Sequence, residues 1–227
     1  MILRFDVDGG ERIEVEPQRL VIAGWTGRDR AAIEHHIAEL AALGVPPPST
    51  VPLYYRAGAV LLTQATTIEV LGADSSGEVE PVLVRMRGRW WLTVGSDHTD
   101  RDAERAGVAL SKQLCPKPIA ARVWAWDTVA ARADAIALRS QVFEGDRWVR
   151  YQDGTLQSIR PLEDLIAGLP DDVAVADGLV MFCGTLAAIA DASGRGVRAA
   201  ARMRLQLIDG GRILEHEYAA LPLPRVA

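Results

Sequence analysis

Apolar and polar residues alternate through ILRFDVD and again through ERIEVEP, on either side of Gly9-Gly10, which is the pattern of a β-hairpin. LVIAGW follows as a short apolar run and predicts a buried strand. In DRAAIEHHIAELAALG the spacing becomes helical: Ile33, Ile37, Leu40 and Ala41 share a face, Asp29 stands at the cap position and Gly44 at the stop. The prolines of VPPPSTVP remove donors and restrict the residues before them, so this stretch is a stiff connector. It divides an N-terminal lobe of hairpin and helix, residues 1–45, from a main body, residues 46–227, the two forming one compact unit.

Beyond the connector β-branched and aromatic residues dominate as far as GSD, with turn signals at Ala73 to Gly77 and at Arg87 to Gly88. DRDAERAGVALSKQL predicts a second helix ended by Pro116 and Pro118, and ARVWAWDTVAARADAIALRSQVF a mixture of strand and helix. DRWVRYQDGTLQSI reads as a hairpin, LEDLIAGLP as a short helix, GLVMFCGTLA as a buried strand, and VRAAARMRLQLID with RILEHEYAALPL as a closing strand pair. The fold class is mainly β with a few helices (α+β).

A chain of 227 residues that is 49% hydrophobic and 24% charged has the length and composition of an enzyme-sized globular body. Its net charge of −5 and the absence of a Lys/Arg-rich run argue against a nucleic-acid partner. Cys115 and Cys183 are too few for a disulfide framework or a zinc cluster, and point to a reducing cytoplasm. No apolar run approaches the ~20 residues that span a bilayer, so no membrane association is expected.

Candidate chemistry concentrates in carboxylates. Glu78 and Glu80 lie two apart in the strand-like EVEPVLV, which puts both side chains on one face about 7 Å apart. Asp97 ends the next strand, and a hairpin would bring it back beside them. Three clustered carboxylates need a cation, and an all-oxygen set suits Mg²⁺, Mn²⁺ or Ca²⁺ better than zinc. The alternative for such an E-x-E pair is the solvent face of an exposed strand.

Several motifs occur in the order found in the fumarylacetoacetate hydrolase superfamily, which the chain resembles over residues 21 to 186. GEVEPVLV resembles that family's E-x-E strand, SDHTDRD its N-D-V-S-x-R-D segment, GRDRAAIEHHIAEL its G-R-N-x-H-x-x-E segment, SKQLCPKP its lysine-bearing stretch, YQDGTLQ its Q-x-G-x-T turn and GLVMFCGTL its G-D-x-x-x-T-G-T strand. The resemblance implies a mixed β-roll, a divalent metal on Glu78, Glu80 and Asp97, and a small organic acid as substrate. It also implies a lid pair, His36 and Glu39, that activates water, and Lys112 beside the metal to balance developing charge. Arg28, Arg101, Gln152, Gly184 and Thr185 fall on substrate-contacting or arginine positions, and a homodimer is implied because family members commonly form one.

The chain departs from the family in having only 16 residues between Glu80 and Asp97 and 14 between Asp97 and Lys112, and in Arg56 and Cys183 where a lysine and a threonine are usual. The reading that follows is a metal-dependent hydrolase of an oxo or dioxo acid, cleaving a C–C bond or an amide. Decarboxylation, dehydration or isomerisation of a 2-oxo acid is a second reading, and a non-catalytic module binding metal and acid a third. His98, extended next to Asp97, is expected to point away from it, Cys115 and Cys183 to pack in the core, and His216 to carry no function.

Overall fold

The computed structural model describes residues 1–8, 10–42 and 47–226, and the side chains of residues 36 and 39–42 lie outside that description. Thirteen strands of four or more residues carry the architecture: β1 Leu3–Val7, β2 Arg12–Val15, β3 Arg19–Gly24, β4 Leu53–Ala57, β5 Thr67–Leu71, β6 Val79–Met86 and β7 Arg89–Ser96, then β8 Arg122–Ala125, β9 Ala137–Glu144, β10 Arg147–Thr155, β11 Leu179–Phe182, β12 Arg202–Asp209 and β13 Arg212–Leu223. The helices are α1 Arg30–Ala42, α2 Arg101–Glu104, α3 Val108–Leu114 and α4 Leu162–Ala167. The fold is thus mainly β with few helices.

Eight strands form one sheet in the order β2-β1-β8-β7-β6-β11-β3-β4, and five form another in the order β10-β9-β12-β13-β5. Both are mixed: β1 with β8, β11 with β3, and β13 with β5 run parallel. The N-terminal strands β1 to β3 belong to the large sheet, so residues on both sides of the proline connector share one hydrogen-bonded layer.

The runs VEPVLVRM and LVMF are buried at nearly every position. Such runs replace alternation when a strand is covered on both faces. One core, holding Leu83, Leu92, Val94, Leu138, Leu205, Leu207 and Leu214, lies between the two sheets. A second, holding Phe5, Ile22, Val82, Val84, Trp91, Val123, Val180 and Phe182, fills the other face of the curled large sheet.

Turn chemistry sets the registers. Arg87 and Gly88 both have positive φ (51° and 69°), as do Gly145 and Asp146 (53° and 63°), the conformation that matches two-residue turns to strand twist. These turns join β6 to β7 and β9 to β10. At α1 the Asp29 carboxylate accepts from the Ala32 N–H at 3.1 Å, and the cap stands where the spacing placed it. The stop at Gly44 lies outside the described residues. The single helix expected over DRDAERAGVALSKQL is instead two, α2 and α3, broken at Gly107, whose extended φ of 167° is incompatible with a helix. Asp100 caps α2 by accepting from the N–H groups of Asp102 and Ala103.

Phe182 is fully buried on β11 between β6 and β3. Phe182→Ala is expected to lower the free energy of unfolding by about 3–5 kcal/mol, read from chemical denaturation, because the cavity cannot close between two hydrogen-bonded neighbours.

Candidate metal centre

The β6–β7 hairpin explains how Asp97 meets the two glutamates that precede it by 17 and 19 residues. Val79 faces Ser96 and Glu80 faces Gly95, so Glu78 and Asp97 stand opposite one another just outside the ladder, joined by the Asp97 N–H donating to the Glu78 carbonyl at 3.1 Å. Glu78 and Glu80 leave the same face of the strand. One oxygen from each of Glu78, Glu80 and Asp97 lies within 4.8 Å of the other two. Glu80 is 3% exposed, Asp97 not at all, and only Glu78 keeps a partly open side chain.

Close approach around the triad is obtained with glycine. A Cβ on Gly95 would lie 2.9 Å from atoms of Ile119, Phe182 and Pro118, and one on Gly77 only 2.2 Å from the Met203 sulfur. Gly184 has φ +100° and donates its N–H to Glu80 Oε2 at 2.7 Å. Gln152, buried on β10, uses all its hydrogen-bonding groups: its oxygen accepts from the Val79 N–H and the Ser140 hydroxyl, and its amide donates to Thr185 Oγ1 and the Leu186 carbonyl. Thr185 in turn donates to the Val79 carbonyl at 2.8 Å. Both side chains therefore grip the residue between the two glutamates.

Three cations answer the three acids. Lys112, on α3, donates to Asp97 Oδ2. Lys117 Nζ lies 3.0 Å from Asp97 Oδ1 and donates to the His98 carbonyl. Arg101 Nη2 lies 3.1 Å from Glu78 Oε1, while its other nitrogens reach Ser76 Oγ and Glu104. Burial alone would raise the Asp97 pKa, but Lys112 and Lys117 overcome it and hold the carboxyl down at about 2. Glu80 is pushed well above the usual carboxylate range by burial and by Asp97, only partly relieved by Lys112. Burial would lower the Lys112 pKa, yet the surrounding carboxylates Asp97, Glu78 and Glu80 raise it.

Behind the triad runs a buried polar chain. The Glu78 N–H donates to Ser96 Oγ, which shares a hydrogen bond of 2.9 Å with the Tyr218 hydroxyl. That hydroxyl lies 2.8 Å from His98 Nδ1, and His98 Nε2 lies 2.9 Å from Ser75 Oγ. His98 is 2% exposed, and burial, with Lys117 and Arg101 nearby, lowers its pKa to about 3, keeping the ring neutral. Both of its ring nitrogens are thus occupied by hydroxyl partners.

The donor set fits a hard divalent cation. All three donors are carboxylates, the ligand class that a hard divalent cation takes, and Asp97 Oδ1 is met by the Lys117 ammonium at 3.0 Å. Of the residues singled out from the sequence, Glu78, Glu80, Asp97, Arg101, Lys112 and Gly184 come together here, with Gln152 and Thr185 directly behind. Arg28 is instead held by Asp134, at 2.8 and 2.6 Å, and by the Ile159 carbonyl. The side chains of His36 and Glu39 lie outside the described residues. Cys115 and Cys183 are buried, and burial raises both thiols, that of Cys115 to about 11. His216 hydrogen-bonds the Ala65 carbonyl at 3.1 Å and stacks on the Tyr218 ring, with centroids 6.2 Å apart.

Lys117, Tyr218 and Ser96 were not singled out from the sequence. For Lys117 a signal existed, since a lysine between two prolines in the apolar stretch CPKPIA has little reason to be there unless it is paired. Among the described residues no helix is long and apolar enough to cross a membrane.

A family model described as protein of unknown function (DUF2848) matches residues 23–218. No curated protein matches the chain by sequence. Solved structures of the same fold include a protein from Yersinia pestis CO92 assigned to the fumarylacetoacetate hydrolase family, 13% identical, with 95% of this chain and 99% of that one covered at a TM-score of 0.64. The 2-keto-3-deoxy-D-arabinonate dehydratase complexed with magnesium and 2,5-dioxopentanoate is 14% identical, with 94% and 77% covered at 0.64. A protein from Mycobacterium smegmatis described as HpcE is 20% identical, with 90% and 74% covered at 0.63. These likenesses establish the fumarylacetoacetate hydrolase fold for this chain.

A Cβ on Gly184 would sit 1.6 Å from Thr26 Oγ1 at a φ that side chains avoid. Gly184→Ala is expected to cost about 3 kcal/mol or more of stability, measured by denaturant titration, by adding backbone strain to the clash.

Proposed function

The chain belongs to the DUF2848 family, and from that premise we propose that it is a divalent-metal-dependent enzyme acting on a small oxo acid. The observation that carries the reading is the buried triad of Glu78, Glu80 and Asp97, whose oxygens lie within 4.8 Å of one another on a fold whose solved examples include a magnesium complex. The ion would be Mg²⁺ or Mn²⁺, with Ca²⁺ a further candidate, and would polarise a carbonyl oxygen of the acid and stabilise enolate or tetrahedral charge.

The chain's own residues supply the remainder. Lys112, whose ammonium also lies 5.6 Å from the centre of the Tyr55 ring, is placed to neutralise negative charge that develops on the substrate. Arg101 steadies Glu78, the most open of the three acids, and offers a cation at its edge. Gln152 and Thr185 fix the spacing of the glutamates through Val79, and Gly184 orients Glu80. On the strength of the resemblance, His36 and Glu39 on α1 activate the water, which makes the reaction hydrolysis of a C–C bond or an amide. The likeness to a dehydratase favours a second reading, loss of water from a 2-oxo acid after proton abstraction.

Glu78→Gln is expected to weaken Mn²⁺ binding by more than the roughly 10–100-fold that loss of an outer-sphere partner costs, and to abolish turnover. Calorimetric titration beside an assay on a panel of oxo acids checks both, and unchanged binding would remove the site. Product identification separates the reactions: incorporation of water marks hydrolysis, and its release marks dehydration. His36→Ala is expected to lower kcat by about 10²-fold or more while leaving Mn²⁺ affinity within about twofold, in steady-state kinetics and titration.

A further inference from the structure

Arg160 takes no part in the site described above. It stands just before α4, where the chain passes the root of α1, and its backbone is firmly held there. The Arg160 N–H donates to the Thr26 carbonyl at 2.8 Å, the Arg28 N–H donates to the Ser158 carbonyl at 3.0 Å, and Gly27 bridges to Ile159 between them. The side chain has no such anchor. Its Nε is buried without a hydrogen-bond partner, and its guanidinium enters no ion pair, among the described residues. An arginine carries donors and no acceptor, so only an acceptor satisfies it, and a buried polar group left without one is rare enough to need a reason.

The guanidinium lines a cleft of about 250 Å³ bounded by Arg28, by the short 3-10 helix Ala130–Ala135 and by the start of α4. Two of the other charges there cancel, because Arg28 and Asp134 close on each other in a two-pronged pair at 2.8 and 2.6 Å. Glu163 also lines the cleft and Asp164 follows it, but both are exposed on the first turn of α4, where water and salt screen them, and neither pairs with Arg160. The charge of Arg160 is therefore open to an incoming anion.

Much of the remaining wall is apolar, made by Ala130, Ala131, Ala133, Leu156 and Leu162. An ordered water needs two to four polar partners, which such walls do not supply. A carboxylate on a short hydrocarbon body suits both halves of the cleft, with its oxygens accepting from the guanidinium and its chain lying on the alanines and leucines. Inorganic phosphate would match the arginine but not the walls.

We infer that this cleft is a binding site for a short-chain monocarboxylate, separate from the triad of Glu78, Glu80 and Asp97 and independent of any ion bound there. Thr26 lies between the two places. Its carbonyl accepts from Arg160, and its hydroxyl fills the space a Cβ on Gly184 would need, Gly184 being the donor to Glu80.

The test titrates butanoate into the full chain by calorimetry with EDTA present, so that no metal ion serves as the acid's partner, and uses 1-butanol as the uncharged control. Wild type is expected to bind butanoate with a Kd of about 1 mM or tighter, and 1-butanol about tenfold or more weakly than that. Arg160→Gln, which removes the charge, and Ala131→Leu, which fills the cleft from an exposed position, are each expected to weaken butanoate binding by about tenfold or more. Glu78→Gln is expected to leave it within about twofold. No saturable binding to wild type, or 1-butanol binding as tightly as butanoate, overturns the inference. So does butanoate affinity unchanged in Ala131→Leu, which decides the matter even if Arg160→Gln does not fold. Binding lost in Glu78→Gln but kept in Ala131→Leu would put the acid at the triad instead, and leaves the metal reading standing.

Discussion

Like charges in a dry interior repel with little screening, and Glu78, Glu80 and Asp97 are held together with two of them almost wholly removed from water. Much of the surrounding structure works against that repulsion. Lys112 and Lys117 divide the two oxygens of Asp97, Arg101 takes Glu78, and the Gly184 N–H takes Glu80. The polar chain through Ser96, Tyr218, His98 and Ser75 keeps the hydroxyls and the imidazole behind the acids hydrogen-bonded.

The large sheet makes this compression possible. Because β6 and β7 are joined by a two-residue turn, their register is fixed by turn geometry, and Asp97 has no freedom to slide away from Glu78. Glycines at 77, 95 and 184 let sulfur, ring, hydroxyl and backbone atoms close around the acids where any Cβ would collide. The short link between Glu80 and Asp97 is therefore a direct hairpin.

Period-two alternation, apolar runs and turn dipeptides made the β1–β2, β6–β7 and β12–β13 pairs and the buried strand β11 legible from the chain, because those signals are local, whereas the hairpin read over DRWVRYQDGTLQSI is the single strand β10, paired with β9 and followed by a 3-10 turn. Glu78 and Glu80 were legible as a pair on one face, and Asp97 as their partner once a hairpin was drawn. What was hidden is what arises between segments far apart. Tyr218 meets Ser96 across 122 residues and carries no local mark, and Gln152, marked in the sequence by YQDGTLQ, gives no local sign that it meets Val79 across 73. Gly107 lies inside the helical pattern of DRDAERAGVALSKQL, yet the chain breaks there into α2, capped by Asp100, and α3, from which Lys112 reaches Asp97. Arg28 sits in a polar string resembling a binding motif, but its planar fork is taken up by the Asp134 carboxylate, which ties the entry of α1 to the 3-10 helix Ala130–Ala135 before β9.

The grip of Gln152 on Val79 joins the two sheets at the one residue that separates the glutamates. Gln152 rides on β10 in the small sheet, Val79 on β6 in the large one, so the gap between the ligand oxygens is coupled to how the sheets pack. Preference between a small ion demanding near-ideal octahedral geometry and a larger, more tolerant one depends on cavity size and rigidity. For the ion proposed above, selectivity by radius would thus be partly a property of the inter-sheet core, to which aliphatic residues such as Leu138 and Leu205 contribute.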